Sequence, residues 1–158
     1  MHPALYEGPR MVKPPIVQIA GMLRARRSGV ETESWTWIAD LAGQRLFDPP
    51  NVAGWDETRW LDTARISGRW EAASHNTRDV TVDADGYDPA ETASAAVRKA
   101  LRFWGNPAIS KRTRGELQRF ARRVEDAARE DWQQGSYRAL RQNALRILIV
   151  TSPEFQTS

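Results

Sequence analysis

Catalysis and metal binding require particular side chains at particular spacings, and this 158-residue chain offers few of them. It contains no cysteine, which excludes disulfides, thiolate metal ligands and cysteine nucleophiles. Its two histidines, His2 and His75, are too few for the usual imidazole sets of zinc sites. Neither a G-x-S-x-G nucleophile motif nor a glycine-rich phosphate-binding motif occurs. We therefore assign no catalytic residue, no metal site and no cofactor.

Carboxylates are concentrated in the polar segment 75–88, which we predict to be a surface loop. The aspartates of this segment are Asp79, Asp83, Asp85 and Asp88. Their spacing approaches that of a calcium loop. In the run Asp83-Ala84-Asp85-Gly86, however, the glycine follows two ligand positions, whereas an EF-hand has three before its glycine. His75 and Asp79 could pair as a base and its orienting acid. A solvated acidic loop and a surface histidine are the favoured interpretations.

A second group of candidates surrounds a rigid turn at residues 46–55, with the sequence LFDPPNVAGW. Its two successive prolines lack backbone N–H donors, so neither a helix nor a central strand can pass through. We predict a structural corner between two helices, with Phe47 and Trp55 as buried anchors. The alternative is a ligand-lining loop, because loops on rigid scaffolds often carry function. The candidate binding residues are Phe47, Asp48, Asn51, Trp55 and Trp60.

Three of the seven tryptophans, Trp55, Trp60 and Trp70, lie close to this corner in the sequence. Buried, they would anchor the core, which is the favoured interpretation. Exposed, they could stack on sugars or insert into a partner protein. Acidic residues nearby could then act as the carboxylate pair of a glycosidase, which makes a carbohydrate-active or hydrolase-like protein the alternative.

Basic residues are concentrated between Arg98 and Arg146, where 13 Lys and Arg accompany 5 Asp and Glu, against 10 and 15 in the remainder. Such asymmetry is typical of a surface for nucleic acid or another anionic partner. The candidate surface residues lie on one predicted helix: Arg112, Arg119, Arg122 and Arg123. Acidic residues spaced by four on that helix offset part of the charge. Nucleic acid is therefore the less favoured partner.

The elements that must position these residues are helices, because apolar residues recur at helical spacing in six segments. These segments begin after Pro14-Pro15, at Ser34, near Thr63 (with Ile66, Trp70 and Ala73 inward), at Asp88, at Lys111 and after Gly135-Ser136. Asp88 is predicted as an N-cap followed by Pro89. The fifth helix is predicted to reach Trp132, and Ser152-Pro153 to open a last turn. The apolar residues of the predicted sixth helix are Leu140, Ala144, Ile147 and Leu148.

The predicted fold class is all-α, a compact bundle of about five to six helices with a Pro-rich corner loop and a polar loop near 75–88. Residues 1–158 are expected to form a single helical domain. The longest aliphatic run, near Leu145–Val150, is too short to span a bilayer. No signal peptide is visible, and localisation is left open.

Three segments together resemble the bacterial "domain of unknown function 1800" family. The hallmark is LFDPPNVAGW at residues 46–55. Upstream, MVKPPIV at residues 11–17 leads into an apolar helix, and TSPEFQ at residues 151–156 resembles the family's ending. Their order and approximate spacing agree with the family pattern.

The resemblance implies a chain that corresponds to the C-terminal part of a longer protein. It implies no catalytic residues, because the family has none agreed. It also implies a partner, a "domain of unknown function 1501" protein encoded nearby, and full-length members that are often exported. The favoured function is a noncatalytic helical scaffold or protein-interaction domain. The two alternatives are the hydrolase-like protein at the tryptophan corner and nucleic-acid binding through region 98–146.

Overall fold

The computed structural model describes residues 11–30, 34–82 and 91–157. These residues form seven α-helices, namely α1 (Pro15–Arg26), α2 (Ser34–Leu41), α3 (Thr63–Thr77), α4 (Ala93–Phe103), α5 (Lys111–Ala127), α6 (Asp131–Val150) and α7 (Pro153–Gln156). Short 3₁₀ turns lie at Glu57–Arg59 and Arg78–Val80. The described ranges contain no β-strand beyond an isolated bridge between Val12 and Thr157. The all-α prediction is confirmed.

Local sequence explains where these helices begin. The side chains of Asp62, Thr92 and Ser110 each accept a backbone N–H from the first turn of the following helix, which satisfies a donor that has no partner within the helix. Pro15 and Pro153 open α1 and α7, where the missing N–H costs nothing.

The helices pack in two groups that share one apolar core. Helices α1, α2 and α3 pack against each other, α4, α5 and α6 do the same, and α3 against α6 joins the groups. The large apolar side chains of this core are Ile19, Met22, Leu23, Trp35, Ile38, Val97, Leu101, Trp104, Leu117, Leu145, Ile149 and Val150. The closest approach of α2 and α3 occurs at Gly68, where an added Cβ would lie 2.4 Å from the backbone N of Ala42.

The predicted inner face of α3 is confirmed for Ala73, which is buried, and is wrong for Ile66 and Trp70. Ile66 and Trp70 are about half exposed, whereas Gly68, Arg69 and Ala72 are buried. Small residues face α2 because the two backbones lie too close for larger side chains. The prediction that 75–88 is all loop is also wrong in part, since α3 continues to Thr77 and a 3₁₀ turn follows.

The predicted starts of α4 and α6 need correction. Thr92 is the cap of α4, while the predicted cap Asp88 lies outside the described residues, as do Asp83 and Asp85. Helix α5 ends at Ala127, and α6 begins at Asp131 behind a capping box formed by Glu130 and Gln133. The predicted break at 135–136 is therefore helical, because the capping box starts the helix earlier and a helix interior tolerates one glycine for about 1 kcal/mol.

The buried face of α6 also differs from the prediction. Leu140 is largely exposed and Ala144 only half buried, while Arg141, Gln142 and Arg146 are buried. These polar side chains find acceptors inside the molecule: Gln142 donates to the carbonyl oxygen of Ala96 at 3.0 Å, and Arg146 donates to the carbonyl oxygen of Val80. When a helix buries polar side chains that form hydrogen bonds, its hydropathy pattern predicts the wrong face to be buried.

Helix α7, predicted as a final turn, is attached to α5 through Glu154. Its carboxylate accepts the backbone N–H of Ser110 at 3.1 Å and the Thr113 hydroxyl at 2.8 Å. Desolvation raises the pKa of Glu154, but the hydrogen bonds from Ser110 and Thr113 outweigh it and hold the pKa at about 2. The carboxylate therefore stays ionised in moderate acid.

We expect Glu154 to stabilise the fold above pH 4.5 and to lose this contribution as the pH falls towards about 2. The sign follows from a folded-state pKa below the unfolded value. Because Glu154 is partly solvent-exposed and screened, we expect Glu154→Gln to lower the free energy of unfolding at pH 7 by about 1 kcal/mol. Urea titrations at pH 7 and pH 2.5 should show this difference shrinking in acid; a constant difference would contradict it.

Candidate functional site

The corner between α2 and α3 is built from residues that turn the chain without helix. Gly43 ends α2 with φ +97°, and Gly54 has φ +89° near the other end. Between them, the Asn51 side chain accepts the backbone N–H of Ala53 at 2.8 Å, which is a local Asx turn. The predicted interruption of the helices at the prolines is confirmed.

Phe47 is not a buried anchor, which corrects the prediction. Its side chain is 96% exposed, and its backbone has φ +61°. This left-handed conformation is uncommon for a bulky residue and costs of order 1–3 kcal/mol. It turns the ring outward instead of towards α2. Val52 is also fully exposed, and so is Asn51 on the same loop.

Tryptophan side chains anchor the other end of the corner. Trp60 is buried, at 6% exposure, and Trp55 is half buried. The carbonyl oxygen of Trp60 accepts Nε of Arg69 at 3.0 Å. Trp70, by contrast, remains about half exposed. Core anchoring is thus confirmed for Trp60, holds partly for Trp55 and is wrong for Trp70.

A cleft of about 450 Å³ lies inside the corner, with Trp55 and Trp60 in its wall. Its charged lining consists of Asp40, Asp48, Asp56, Arg45, Arg59 and Arg65. The structure thus brings together three of the five predicted binding residues, Asp48, Trp55 and Trp60. Phe47 and Asn51 lie on the same loop but point to solvent.

Two of the three cleft carboxylates already have partners. Asp48 lies 3.3 Å from Arg45. Asp56 accepts the Thr58 hydroxyl at 2.6 Å and the Thr58 backbone N–H at 3.1 Å. The hydrogen bond from the Thr58 side chain lowers the pKa of Asp56 from its ordinary value. A carboxylate that is held ionised in this way is poorly suited to donate a proton as a general acid.

A buried arginine, Arg69, connects the corner to both ends of the described chain. It is 1% exposed, and burial lowers its pKa to about 10, so it remains charged at neutral pH. Besides Trp60, it donates to the carbonyl oxygen of Lys13 at 2.7 Å and to the side-chain oxygens of Gln18 and Gln156, each at 2.8 Å. Two of the three motif segments, 11–17 and 151–156, therefore meet at one guanidinium, together with Trp60, which follows the third segment in the sequence.

A second buried arginine performs a similar task in the other helix group. Arg141 has no exposed surface and lies 3.2 Å from Glu91 and 3.5 Å from Glu125. Glu125 also accepts the backbone N–H of Ala93 at 2.9 Å, so the cluster fixes the start of α4. Sequence reasoning missed Arg69 and Arg141. The available signal was a basic residue beside small apolar residues on a helix.

Among the earlier alternatives, His75 and Asp79 have separate partners. His75 lies in the last turn of α3 and packs edge-on against Trp35, with ring centroids 4.7 Å apart. The Asp79 carboxylate contacts Nη2 of Arg26 at 2.6 Å, and this hydrogen bond lowers its pKa. In the part of the chain that is described, no three His, Cys, Asp or Glu side chains lie close enough to hold a metal ion.

The arginines proposed for an anionic partner are exposed on α5. These are Arg112, Arg119, Arg122 and Arg123. Arg119 is paired with Glu116 on the same helix. Across residues 11–30, 34–82 and 91–157, no helix is long and apolar enough to cross a membrane.

Comparison with known protein families supports the family resemblance. Residues 1–157 match the family model described as "Protein of unknown function (DUF1800)". The chain matches no curated protein and no solved structure. Because the match covers almost the whole sequence, the chain belongs to the DUF1800 family of proteins of unknown function.

Proposed function

We propose that this protein is a noncatalytic protein-interaction domain, and that the corner loop, residues 46–55, is its binding epitope. The observation that carries the proposal is Phe47, a large apolar side chain that is 96% exposed and held in a left-handed backbone conformation. Strained residues of this kind cluster at binding sites, where the surrounding structure over-determines them. Val52 adds a second fully exposed apolar side chain on the same loop.

The rigidity of the loop favours tight association. Two prolines, the Asx turn at Asn51 and the anchor at Trp60 restrict the conformations of the free loop. A preordered loop loses less conformational entropy when it binds. Aromatic side chains that enter a partner's pocket often contribute most of the binding free energy. Phe47 therefore supplies the anchor and the prolines supply the preorganisation.

The partner that we propose is a "domain of unknown function 1501" protein encoded nearby. This choice comes from the family resemblance. The structure supports a protein partner because the exposed side chains of Phe47 and Val52 form an apolar surface of the kind that packs against another protein.

We expect Phe47→Ser to weaken binding of the purified partner by at least about tenfold, because truncating a buried aromatic anchor costs roughly 2 kcal/mol or more. Calorimetric titration of the two proteins measures this. Val52→Ser should weaken binding less. The matched control is Val30→Ser, since Val30 is also well exposed but lies after α1, outside the loop. Equal affinities for the Phe47 and Val30 variants would contradict the proposal.

The hydrolase-like alternative has one observation in its favour, the concave cleft beside Trp55 and Trp60. The lowered pKa of Asp56 and the Asp48–Arg45 pair count against it, since a general acid needs a raised pKa. Nucleic-acid binding rests on the exposed α5 arginines and predicts affinity that falls steeply with salt. Neither alternative explains why Phe47 is held outward.

A further inference from the structure

Two tryptophans of the corner cleft have buried indole N–H groups for which the described residues offer no acceptor. They are Nε1 of Trp55 and Nε1 of Trp60, and both side chains line the cleft. Trp104 shows the usual arrangement, donating its indole N–H to the carbonyl oxygen of Arg146 at 2.8 Å. A buried donor without an acceptor costs about 1–3 kcal/mol. Both nitrogens are covered by neighbouring atoms, so an acceptor that enters the cleft recovers part of this free energy once the covering side chains move aside.

The space beside the Trp60 indole depends on a glycine. A Cβ at Gly43 would lie 3.3 Å from Cδ1 of Trp60, the ring atom bonded to Nε1. The same Cβ would lie 3.1 Å from Cδ of Arg65. Because Gly43 has no Cβ, the Nε1 edge of Trp60 and the side chain of Arg65 can both lie close to it.

The charge of the cleft favours a neutral acceptor. Its three arginines and three aspartates balance formally. Asp48 and Arg45 pair directly, and Arg59 pairs with Asp62 at 3.6 Å. An anionic ligand thus finds little net attraction, and it meets three carboxylates. Carbonyl and hydroxyl oxygens accept hydrogen bonds without that repulsion.

A peptide carbonyl fits better than a sugar hydroxyl. Stacking on a sugar needs an accessible ring face, and Trp60, which is only 6% exposed, offers none. The more exposed Trp70 lines a different cleft, together with Ile66. Main-chain carbonyls are free to accept such bonds mainly in extended segments, because those of helix interiors are already paired.

We propose that the corner cleft binds an extended segment of the protein partner, with the Trp55 and Trp60 indoles donating to its main-chain carbonyl oxygens. This inference rests on the proposed function, since the same partner would cover Phe47 and Val52. The partner's apolar side chain contacts the loop, and its backbone enters the cleft. The two contacts make separate contributions to affinity.

Overlapping linear peptides that cover the partner, added to the ¹⁵N-labelled protein, test this directly. A binding peptide should shift the indole proton resonances of Trp55 and Trp60 downfield and leave that of Trp104 in place. Trp55→Phe and Trp60→Phe, which remove the donors, should each weaken that peptide's binding by about 3- to 10-fold. Trp37→Phe, on the exposed side of α2, should change it less than about twofold.

Separate outcomes distinguish the two proposals. If the intact partner binds through Phe47 but no peptide moves either indole resonance, the extended-segment inference is wrong and the proposed function stands. If the intact partner does not bind, both fail. Shifts of the same resonances by soluble oligosaccharides of glucose or N-acetylglucosamine, with none by peptides, would also overturn it. Trp55 is only half buried, so its variant keeps the test decisive if Trp60→Phe unfolds.

Discussion

Replacing Arg69 with methionine should lower the free energy of unfolding by about 3–5 kcal/mol. The substitution removes the donors of four buried oxygens, those of Lys13, Gln18, Trp60 and Gln156. Each buried acceptor left unpaired costs about 1–3 kcal/mol, and part of this is recovered by local relaxation. Urea unfolding followed by tryptophan fluorescence provides the measurement.

Two further variants separate the effect of hydrogen bonding from the effect of charge, and from any effect that replacing an arginine has elsewhere in the protein. Arg69→Lys keeps a cation but loses the planar fork, so we expect it to recover only a small part of the lost stability. Arg123→Met removes an exposed arginine and should change the free energy of unfolding by no more than about 0.5 kcal/mol. An Arg69→Met protein whose free energy of unfolding is within about 1 kcal/mol of the wild type would show that Arg69 does not hold both ends of the described chain and Trp60 together.

The second large effect is expected at Gly68. An alanine there would place Cβ 2.4 Å from both the backbone N of Ala42 and the backbone C of Leu41. Neither is a flexible side chain, so α2 and α3 must separate. We expect Gly68→Ala to destabilise the protein by about 2–3 kcal/mol, the range for overpacking in a tight core.

Gly115 offers a control of opposite sign for this prediction. It also lies inside a helix, α5, but an added Cβ there meets nothing within 4 Å. Gly115→Ala should therefore stabilise the protein by about 0.5–1 kcal/mol, because alanine is the better helix former. Differential scanning calorimetry of both variants compares them. Equal shifts in melting temperature would refute the role of close packing at Gly68.

The sequence predicts most helices correctly where apolar periodicity coincides with a cap or a stop. Helix α5 begins at Lys111 as predicted, directly behind the cap at Ser110. The inner faces of α3 and α6 could not be predicted, because Arg69 and Arg141 are buried by partners that are distant in sequence. A pattern of hydropathy assigns charged residues to the surface, and only the folded contacts reverse that assignment.

The candidate site was predicted in place but not in orientation. Prolines at 49 and 50 show that the chain must turn, and Trp60 lies in the wall of the corner cleft. The sign of φ at Phe47 decides whether its ring faces the core or solvent, and a single sequence does not encode it in any local motif. The same limit applies to the Trp55 and Trp60 indoles, whose lack of an acceptor depends on the whole corner.

Hydrogen–deuterium exchange of the protein with and without its purified partner shows whether residues 46–55 are the binding epitope, because it locates the surface that the partner covers. We expect slower exchange in the peptides that contain residues 46–55 and little change in exchange at the exposed arginines of α5. Protection confined to α5, or unchanged exchange at the corner in a complex shown to be saturated, would contradict the claim that the Phe47 loop is the binding epitope.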